Sequence, residues 1–367
     1  MKIQCLNQNL RNAVLISERS SSKNQTLPIL NSLFLGVEKD KIKIRSTNLE
    51  TAVELQLSGK INESGSIVVP VKILGLFLSN LSDEQVTLES QKNNLLIKTK
   101  TTNTVIRGFA PEDFPIFPKI EPQEKIILPA PELKNGIASC AVAISPNDTK
   151  PELNSMFFKI FKNTIKMAAT DSFRLAEKII TSKNISCEKM VSFLVPQKAV
   201  LEILKITDKD ENVELGINKN QLVLGAQNIK FISRLTDGTF PDYEQIMPKN
   251  FKTTALVNKT EVVSSLKLAS VFVGKLNDIS LVFSKDKNNI YISSTPSDVG
   301  EYSANVSASI QGEDISAKFN LRYILEGIAQ IDQEYISFSL NGADLPMLIK
   351  GKNDNSYLYI VMPMRGV

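Results

Sequence analysis

Apolar and polar positions alternate in short runs along most of this chain, and the runs recur in one order. Leu33-Phe-Leu-Gly-Val-Glu-Lys-Asp-Lys-Ile-Lys-Ile-Arg-Ser-Thr-Asn reads as two strands joined by a turn at Glu38-Lys39-Asp40. Met156-Phe-Phe-Lys-Ile-Phe-Lys-Asn-Thr-Ile-Lys-Met-Ala-Ala-Thr-Asp repeats the pattern around Lys162-Asn163. Leu281-Val-Phe-Ser-Lys-Asp-Lys-Asn-Asn-Ile-Tyr-Ile-Ser-Ser-Thr-Pro repeats it again around Asp286-Lys287-Asn288-Asn289. Ile44, Met167 and Ile292 are equivalent positions, 123 and 125 residues apart, so a chain of 367 residues holds almost three periods.

Other landmarks keep the spacing. Val69-Pro70-Val71-Lys72 answers to Val195-Pro196-Gln197-Lys198, and Asn320-Leu-Arg-Tyr-Ile-Leu-Glu-Gly-Ile follows one period later. Val86-Thr-Leu-Glu-Ser-Gln answers to Val213-Glu-Leu-Gly-Ile-Asn and, less closely, to Ile336-Ser-Phe-Ser-Leu-Asn. The period is too long for a solenoid unit and suits a small globular domain. Each copy opens with an amphipathic helix: Leu6 to Ser20, Pro131 to Ile144, and Lys259 to Val273. A second helix follows the first strand block: Val71 to Asn80, Gln197 to Ile206, and Asn320 to Gln330. Proline presets the first turn in two of these, and Asn320 supplies an N-cap to the third. A second strand block closes each copy, so each domain reads as two similar halves.

Between copies the composition shifts. Ala110 to Pro122 carries Pro111, Pro115, Pro118 and Pro122, and its counterpart from Asp237 carries Pro241 and Pro248. These segments predict stiff, extended connectors, because proline restricts itself and its predecessor. The domains therefore read as 1–122, 123–248 and 249–367. Tyr357-Leu-Tyr-Ile-Val-Met-Pro-Met-Arg-Gly-Val is an apolar strand running into a tail with no polar taper, a composition that calls for something docked on it.

No run of about 18 apolar residues occurs, and the N-terminus lacks an apolar signal core, so a soluble cytoplasmic protein with no membrane span is expected. Cys5, Cys140 and Cys187 are odd in number and stand at non-equivalent places, as buried free thiols would. The chain has no histidine, which removes imidazole acid–base chemistry and His-ligated zinc. Asp171, with Asp113 and Asp242 beside prolines, could be imagined as a magnesium-binding carboxylate cluster. Repetition of such acids in successive linkers favours turn or capping roles instead. There is no phosphate-binding loop, dinucleotide turn or Cys-x-x-Cys, and no cofactor is expected.

The net charge of +4 comes from 43 bases and 39 acids. The helices carry nine of those bases and five of the acids, so the whole excess sits on them. Helices sharing one surface would make it mildly positive, able to follow a phosphate backbone without reading bases. Ordinary solvated helix faces explain the charge equally well. A nucleic-acid enzyme built on the Asp171 region and a plain three-domain scaffold also remain open at this point.

Thr26-Leu27-Pro28-Ile29-Leu30, Ala169-Thr170-Asp171 followed by Arg174-Leu175, Phe240-Pro241-Asp242-Tyr243, and Val361-Met362-Pro363-Met364-Arg365 together resemble the bacterial DNA polymerase III beta subunits, the sliding clamps. The resemblance runs the full length. It implies an α+β fold of three repeated domains, each with two helices packed on antiparallel sheets (the DNA clamp fold), and a head-to-tail dimeric ring. The function it implies is not enzymatic. The ring encircles double-stranded DNA without sequence preference and gives the polymerase processivity in DNA replication.

By the same resemblance, Phe77 and Leu81 meet Val271 and Phe272 at the homodimer interface, and Lys23, Lys72, Lys150, Lys198 and Arg322 face the DNA. A peptide-binding groove would comprise Leu153, Thr170, Ser172, Phe173, Arg174, Leu175, Pro241, Ile246, Leu276, Asn320, Tyr323, Pro346, Val361, Met362, Pro363, Met364 and Arg365. Its ligands would be short linear motifs of the replicative polymerase alpha subunit, the clamp loader and repair polymerases. Methionine, leucine and proline make an adaptable apolar floor, and Arg174 and Arg365 a polar rim. The chain departs from the family at Ser172-Phe173, where Gly-His is common, and at Gln245, a position that is often basic.

Overall fold

The computed structural model describes residues 1–21, 27–117, 120, 122, 124–185, 187–207, 212–245, 247–248, 250–294 and 300–364. Thr26, Pro118, Lys23, Ile246 and Arg365 lie outside them.

The first copy runs β1 (Lys2–Leu6), α1 (Asn7–Arg19), β2 (Ser32–Glu38), β3 (Lys41–Thr47), β4 (Thr51–Leu57), β5 (Lys60–Glu63) and β6 (Gly65–Pro70). It finishes with α2 (Val71–Ser79), β7 (Gln85–Gln91), β8 (Asn94–Lys98) and β9 (Asn103–Arg107). The second has β10 (Glu124–Pro129), α3 (Ala130–Ala141), β11 (Ser155–Lys162), β12 (Thr164–Thr170), β13 (Arg174–Thr181) and β14 (Cys187–Pro196). Then come α4 (Gln197–Ile206), β15 (Asn212–Ile217), β16 (Gln221–Ala226) and β17 (Ile229–Arg234). The third has β18 (Thr253–Asn258), α5 (Lys259–Ala269), β19 (Asp278–Ser284), β20 (Asn289–Ser294), β21 (Ser303–Gly312) and β22 (Ile315–Asn320). It closes with α6 (Leu321–Ala329), β23 (Tyr335–Leu340), β24 (Met347–Gly351) and β25 (Tyr357–Val361).

The α+β triplication read from the sequence is thus present, element for element. All six helices fall where periodicity puts them, and α4 has the expected bounds. Two end early. Helix α3 stops at Ala141 because Ala143 and Ile144 donate to the carbonyls of Cys140 and Ala141, three residues back. Helix α5 stops at Ala269 for the same reason, with Val271 and Phe272 donating to Leu268 and Ala269. Such i→i+3 bonds tighten the last turn and end the helix. Asn320 caps α6, its Oδ1 accepting from the Tyr323 N–H at 3.2 Å. The turn between β2 and β3 holds Lys39 and Asp40 at φ 48° and 58°, the left-handed pair that matches the twist of a tight hairpin.

Among the described residues every strand pair is antiparallel, and the ladders run across copies. A five-stranded sheet, β5-β1-β7-β8-β9, and an eight-stranded sheet, β10-β15-β16-β17-β4-β3-β2-β6, belong to one compact unit, residues 1–131 with 201–235. A twelve-stranded sheet, β14-β11-β12-β13-β25-β24-β23-β18-β21-β20-β19-β22, belongs to a second, residues 132–200 with 236–367. The middle copy therefore gives β10 and its last three strands to one unit and β11–β14 to the other. Two seams result. In the first unit β17 pairs with β4, and in the second β25 pairs with β13. In the first unit, one core of fully buried aliphatic side chains, among them Ile3, Leu10, Leu35, Ile44 and Leu74, lies between sheets and helices. The proline-rich connectors are pinned by aromatics at equivalent places: Phe114 packs 5.9 Å from Phe34, and Phe240 stacks 5.0 Å from Phe157.

Candidate functional site

The turn from β12 to β13 is built by its own side chains. Thr170 Oγ1 donates to the Arg174 carbonyl at 2.7 Å and accepts from the Ser172 N–H at 3.2 Å. Asp171 Oδ1 accepts from the N–H groups of Phe173 and Arg174 at 2.9 and 3.0 Å. The first copy has the same turn, bond for bond: Thr47 Oγ1 to the Thr51 carbonyl at 2.8 Å, and Asn48 Oδ1 from Glu50 and Thr51 at 3.0 and 2.7 Å. The turn forces the residue after Asx into the left-handed region, φ 74° at Leu49 and 77° at Ser172. Asp171 is thus a turn cap.

Arg174 leaves this turn toward helix α6. Its Nε is 2.9 Å from Asp171 Oδ2, its Nη1 meets Glu326, and its Cζ stands 4.3 Å from the centre of the Tyr323 ring. Arg322 Nε holds the other oxygen of Glu326 at 2.6 Å. Burial raises the Glu326 carboxyl pKa, but hydrogen bonds from Arg322 and Arg174 outweigh it and hold the group below its ordinary value. Arg174 is only 7% exposed, and a desolvated cation over a ring contributes roughly 2 kcal/mol. Gly327 is what lets α6 sit this close, since a Cβ there would fall 2.2 Å from the Tyr359 ring.

The tail is fixed across this surface. The Met362 N–H donates to the Phe173 carbonyl and the Met364 N–H to the Lys318 carbonyl, each at 2.8 Å. Asn320 Nδ2 reaches the Leu276 carbonyl at 3.3 Å. Phe173, Leu276, Met362, Asn320, Tyr323 and Met364 are thus drawn to one patch, with Phe173 62% and Leu276 67% exposed.

The Leu175 and Ile360 side of this seam is apolar. Leu175 pairs with Ile360, and Ala168, Leu175, Leu194, Phe240, Tyr243 and Ile360 form a continuous cluster against Met247, Leu348 and Leu358. A cavity of about 320 Å³ opens there beside Ile360, Leu358, Leu348, Met247 and Pro248, with Lys166 and Glu244 ion-paired at 2.9 Å on its rim. Beneath it Glu177, 3% exposed, takes a hydrogen bond from the Tyr243 hydroxyl and lies 3.4 Å from Lys166. Burial first, then the bond to Glu177, pushes the Tyr243 hydroxyl pKa far up. The sequence does not mark Ile360, Met247, Lys166, Glu177 or Tyr243 as site residues. Strand alternation carries the signal, since Arg174 and Val361 face one side and Leu175 and Ile360 the other, but the register of the pair is not written locally.

The remaining expected residues are dispersed. Val361 is fully buried opposite Arg174, Leu153 is buried in the loop before β11, Pro241 is exposed, and Pro346 is half-buried ahead of β24. Lys72, Lys150 and Lys198 are exposed, whereas Arg322 is committed to Glu326. Phe77 and Leu81 pack on the first unit's core, Val271 is 65% exposed, and Phe272 stacks 6.1 Å from Tyr302. Among the described residues no group of acidic or cysteine side chains is placed to hold a metal ion, and no helix is long and apolar enough to cross a membrane.

Three copies of paired helices on antiparallel sheets, joined strand to strand at seams, define the clamp class of fold. Known proteins agree. The DNA polymerase III beta subunit N-terminal domain matches residues 1–118, the central domain 127–242 and the C-terminal domain 244–365. The beta sliding clamp of Staphylococcus epidermidis is 27% identical over 358 residues, covering 95% of this chain and 94% of that protein. The sliding clamp structure from Bacillus subtilis aligns over 100% of both chains with a TM-score of 0.95 at 26% identity. The beta subunit structure from Thermotoga maritima, at 24% identity, shares the fold with a TM-score of 0.92 over 100% of both chains. The chain belongs to the DNA polymerase III beta subunit family, the bacterial beta sliding clamps. It is a DNA sliding clamp for replication and not an enzyme.

Proposed function

We propose that two copies of this chain close head to tail into a ring that encircles duplex DNA and tethers the replicative polymerase through the groove at the β13–β25 seam. The observation that carries the ring is an unmatched strand. Strands β9, β17 and β25 hold the same place in the three copies, and Val105, Ile232 and Ile360 the same position within them. Ile232 and Ile360 are buried at seams, whereas Val105 is 58% exposed on a strand that, among the described residues, has one free edge. A partner's third copy would cover it. Val271 and Phe272 on that copy, with Phe77 and Leu81 beside β9's own sheet, are the side chains we assign to the joint.

Lys72, Lys150 and Lys198, with Lys23 and Arg322, are the DNA-facing candidates. The +4 excess sits on the observed helices as on the expected ones, which supports weak, sequence-independent contact. Confinement then does what tight binding would otherwise do, and the ring can slide. The groove's ligands would be short linear motifs of the polymerase alpha subunit, the clamp loader and repair polymerases. We assign domain limits at 122/123 and 248/249. A reducing cytoplasm suits Cys5, Cys140 and Cys187, each buried and in no disulfide.

Replacing both Met362 and Met364 by alanine should abolish polymerase stimulation while the dimer persists on a sizing column. Full stimulation by that variant would refute the groove. Loading on nicked circular DNA followed by linearisation should release the protein, and retention on the linear form would refute the ring.

A further inference from the structure

The first unit contains the groove's geometry a second time. Ala52 pairs with Ile232 across β4 and β17 as Leu175 pairs with Ile360 across β13 and β25. Val223 flanks the first pair on β16 as Leu348 flanks the second on β24. Phe117 and Ile120 pack over the first cluster, and Met247, with the connector residue Tyr243, belongs to the second.

The chemistry of the two places differs. A cavity of about 670 Å³ lies at the first-unit seam, roughly twice the other and within the range of ligand sites. Arg45 occupies the strand position that Ala168 holds in the second copy, each opposite a glutamate. Its guanidinium grips Glu38 with two bonds of 2.6 Å and Glu54 with a third of 2.6 Å, between the rings of Phe34 and Phe117 at 5.4 and 5.3 Å. Lys43 meets Glu54 at 3.2 Å as well. Both lining acids are therefore already answered. Lys39 and Lys230 line the same cavity, and among the described residues neither is in an ion pair. Lys230 stands where the second unit has Leu358. Four bases against two acids leave the wall at +2. At its mouth Ile116 is 96% exposed, beside Pro111, Pro115 and the buried Phe114.

We propose that this cavity is a second docking site, which takes an acidic peptide segment of a partner protein anchored by one apolar side chain. The anchor enters beside Ile116 and the phenylalanine rings, and the segment's carboxylates meet Lys39 and Lys230. The site shares only its backbone geometry with the groove at the other seam, so the two can fail independently.

Fluorescence anisotropy on the full-length protein tests it, with labelled peptides Asp-Glu-Phe-Asp-Glu and Lys-Lys-Phe-Lys-Lys as probes. The acidic peptide should bind saturably, weaken with salt, and lose about tenfold in affinity when Lys39→Glu and Lys230→Glu are combined. The milder Lys39→Gln with Lys230→Gln should show the same direction, with circular dichroism confirming that both variants fold. The Met362→Ala and Met364→Ala protein should bind it unchanged. Absence of saturable binding, equal binding of the lysine peptide, or loss only in the methionine variant would overturn the proposal. So would displacement by duplex DNA with the same lysine dependence, which would assign the cavity to phosphate.

Discussion

Ser172 holds its backbone at φ 77°, where a side chain other than glycine is strained by roughly 1 kcal/mol or more. The turn compels it, because Thr170 and Asp171 between them bind three successive N–H groups. Glycine would relieve that strain at some entropic cost, so Ser172→Gly should raise stability by about 0.5 kcal/mol, read as a higher midpoint in denaturant. A lower midpoint would mean that the serine side chain contributes something the geometry does not reveal. The capping role of Asp171 was legible from repetition alone, since Asn48 stands in the same place one period earlier. The fate of Arg174 was not. Nothing near it in the chain announces Glu326 or Tyr323, some 150 residues away, and residues so distant meet only through the folded sheet.

At the scale of strands and helices, local pattern carried most of the information. The two-residue and 3.6-residue periods mark every helix and hairpin of the repeat, and proline and Asn320 mark where the second helices begin. What the pattern lacks is the ladder partner of β4 and of β13, because pairing across copies is set by the whole fold. The same ignorance hid Ile360 while displaying its neighbour Val361. Strand β9 offers the test. Val105→Asp places a charge on the exposed position where the other two copies have a buried isoleucine. The change should convert the proposed dimer to a monomer on a sizing column while leaving circular dichroism intact. A dimer of undiminished strength would show that closure does not use this edge.

For the molecule as a whole, stability should depend on acid and not on neutral titration. Hydrogen bonds from Arg45 and from Lys166 depress the carboxyl pKa values of Glu38 and Glu244, and Arg322 with Arg174 depresses Glu326 against burial. A carboxylate lowered in the folded state stabilises it above its unfolded value of about 4.5 and stops doing so as pH falls through the lower folded value. Unfolding free energy should thus fall steadily below about pH 4.5. It should be flat from about pH 6 to 8, because no histidine is present to titrate. A step near neutrality in denaturant titrations would contradict this. Strand β4 leaves the ribosome some 170 residues before β17, the strand that completes its ladder. At 5–20 residues per second the nascent chain waits roughly 10–30 s with a bare hydrogen-bonding margin, so its hazard during translation is premature capture by another nascent copy.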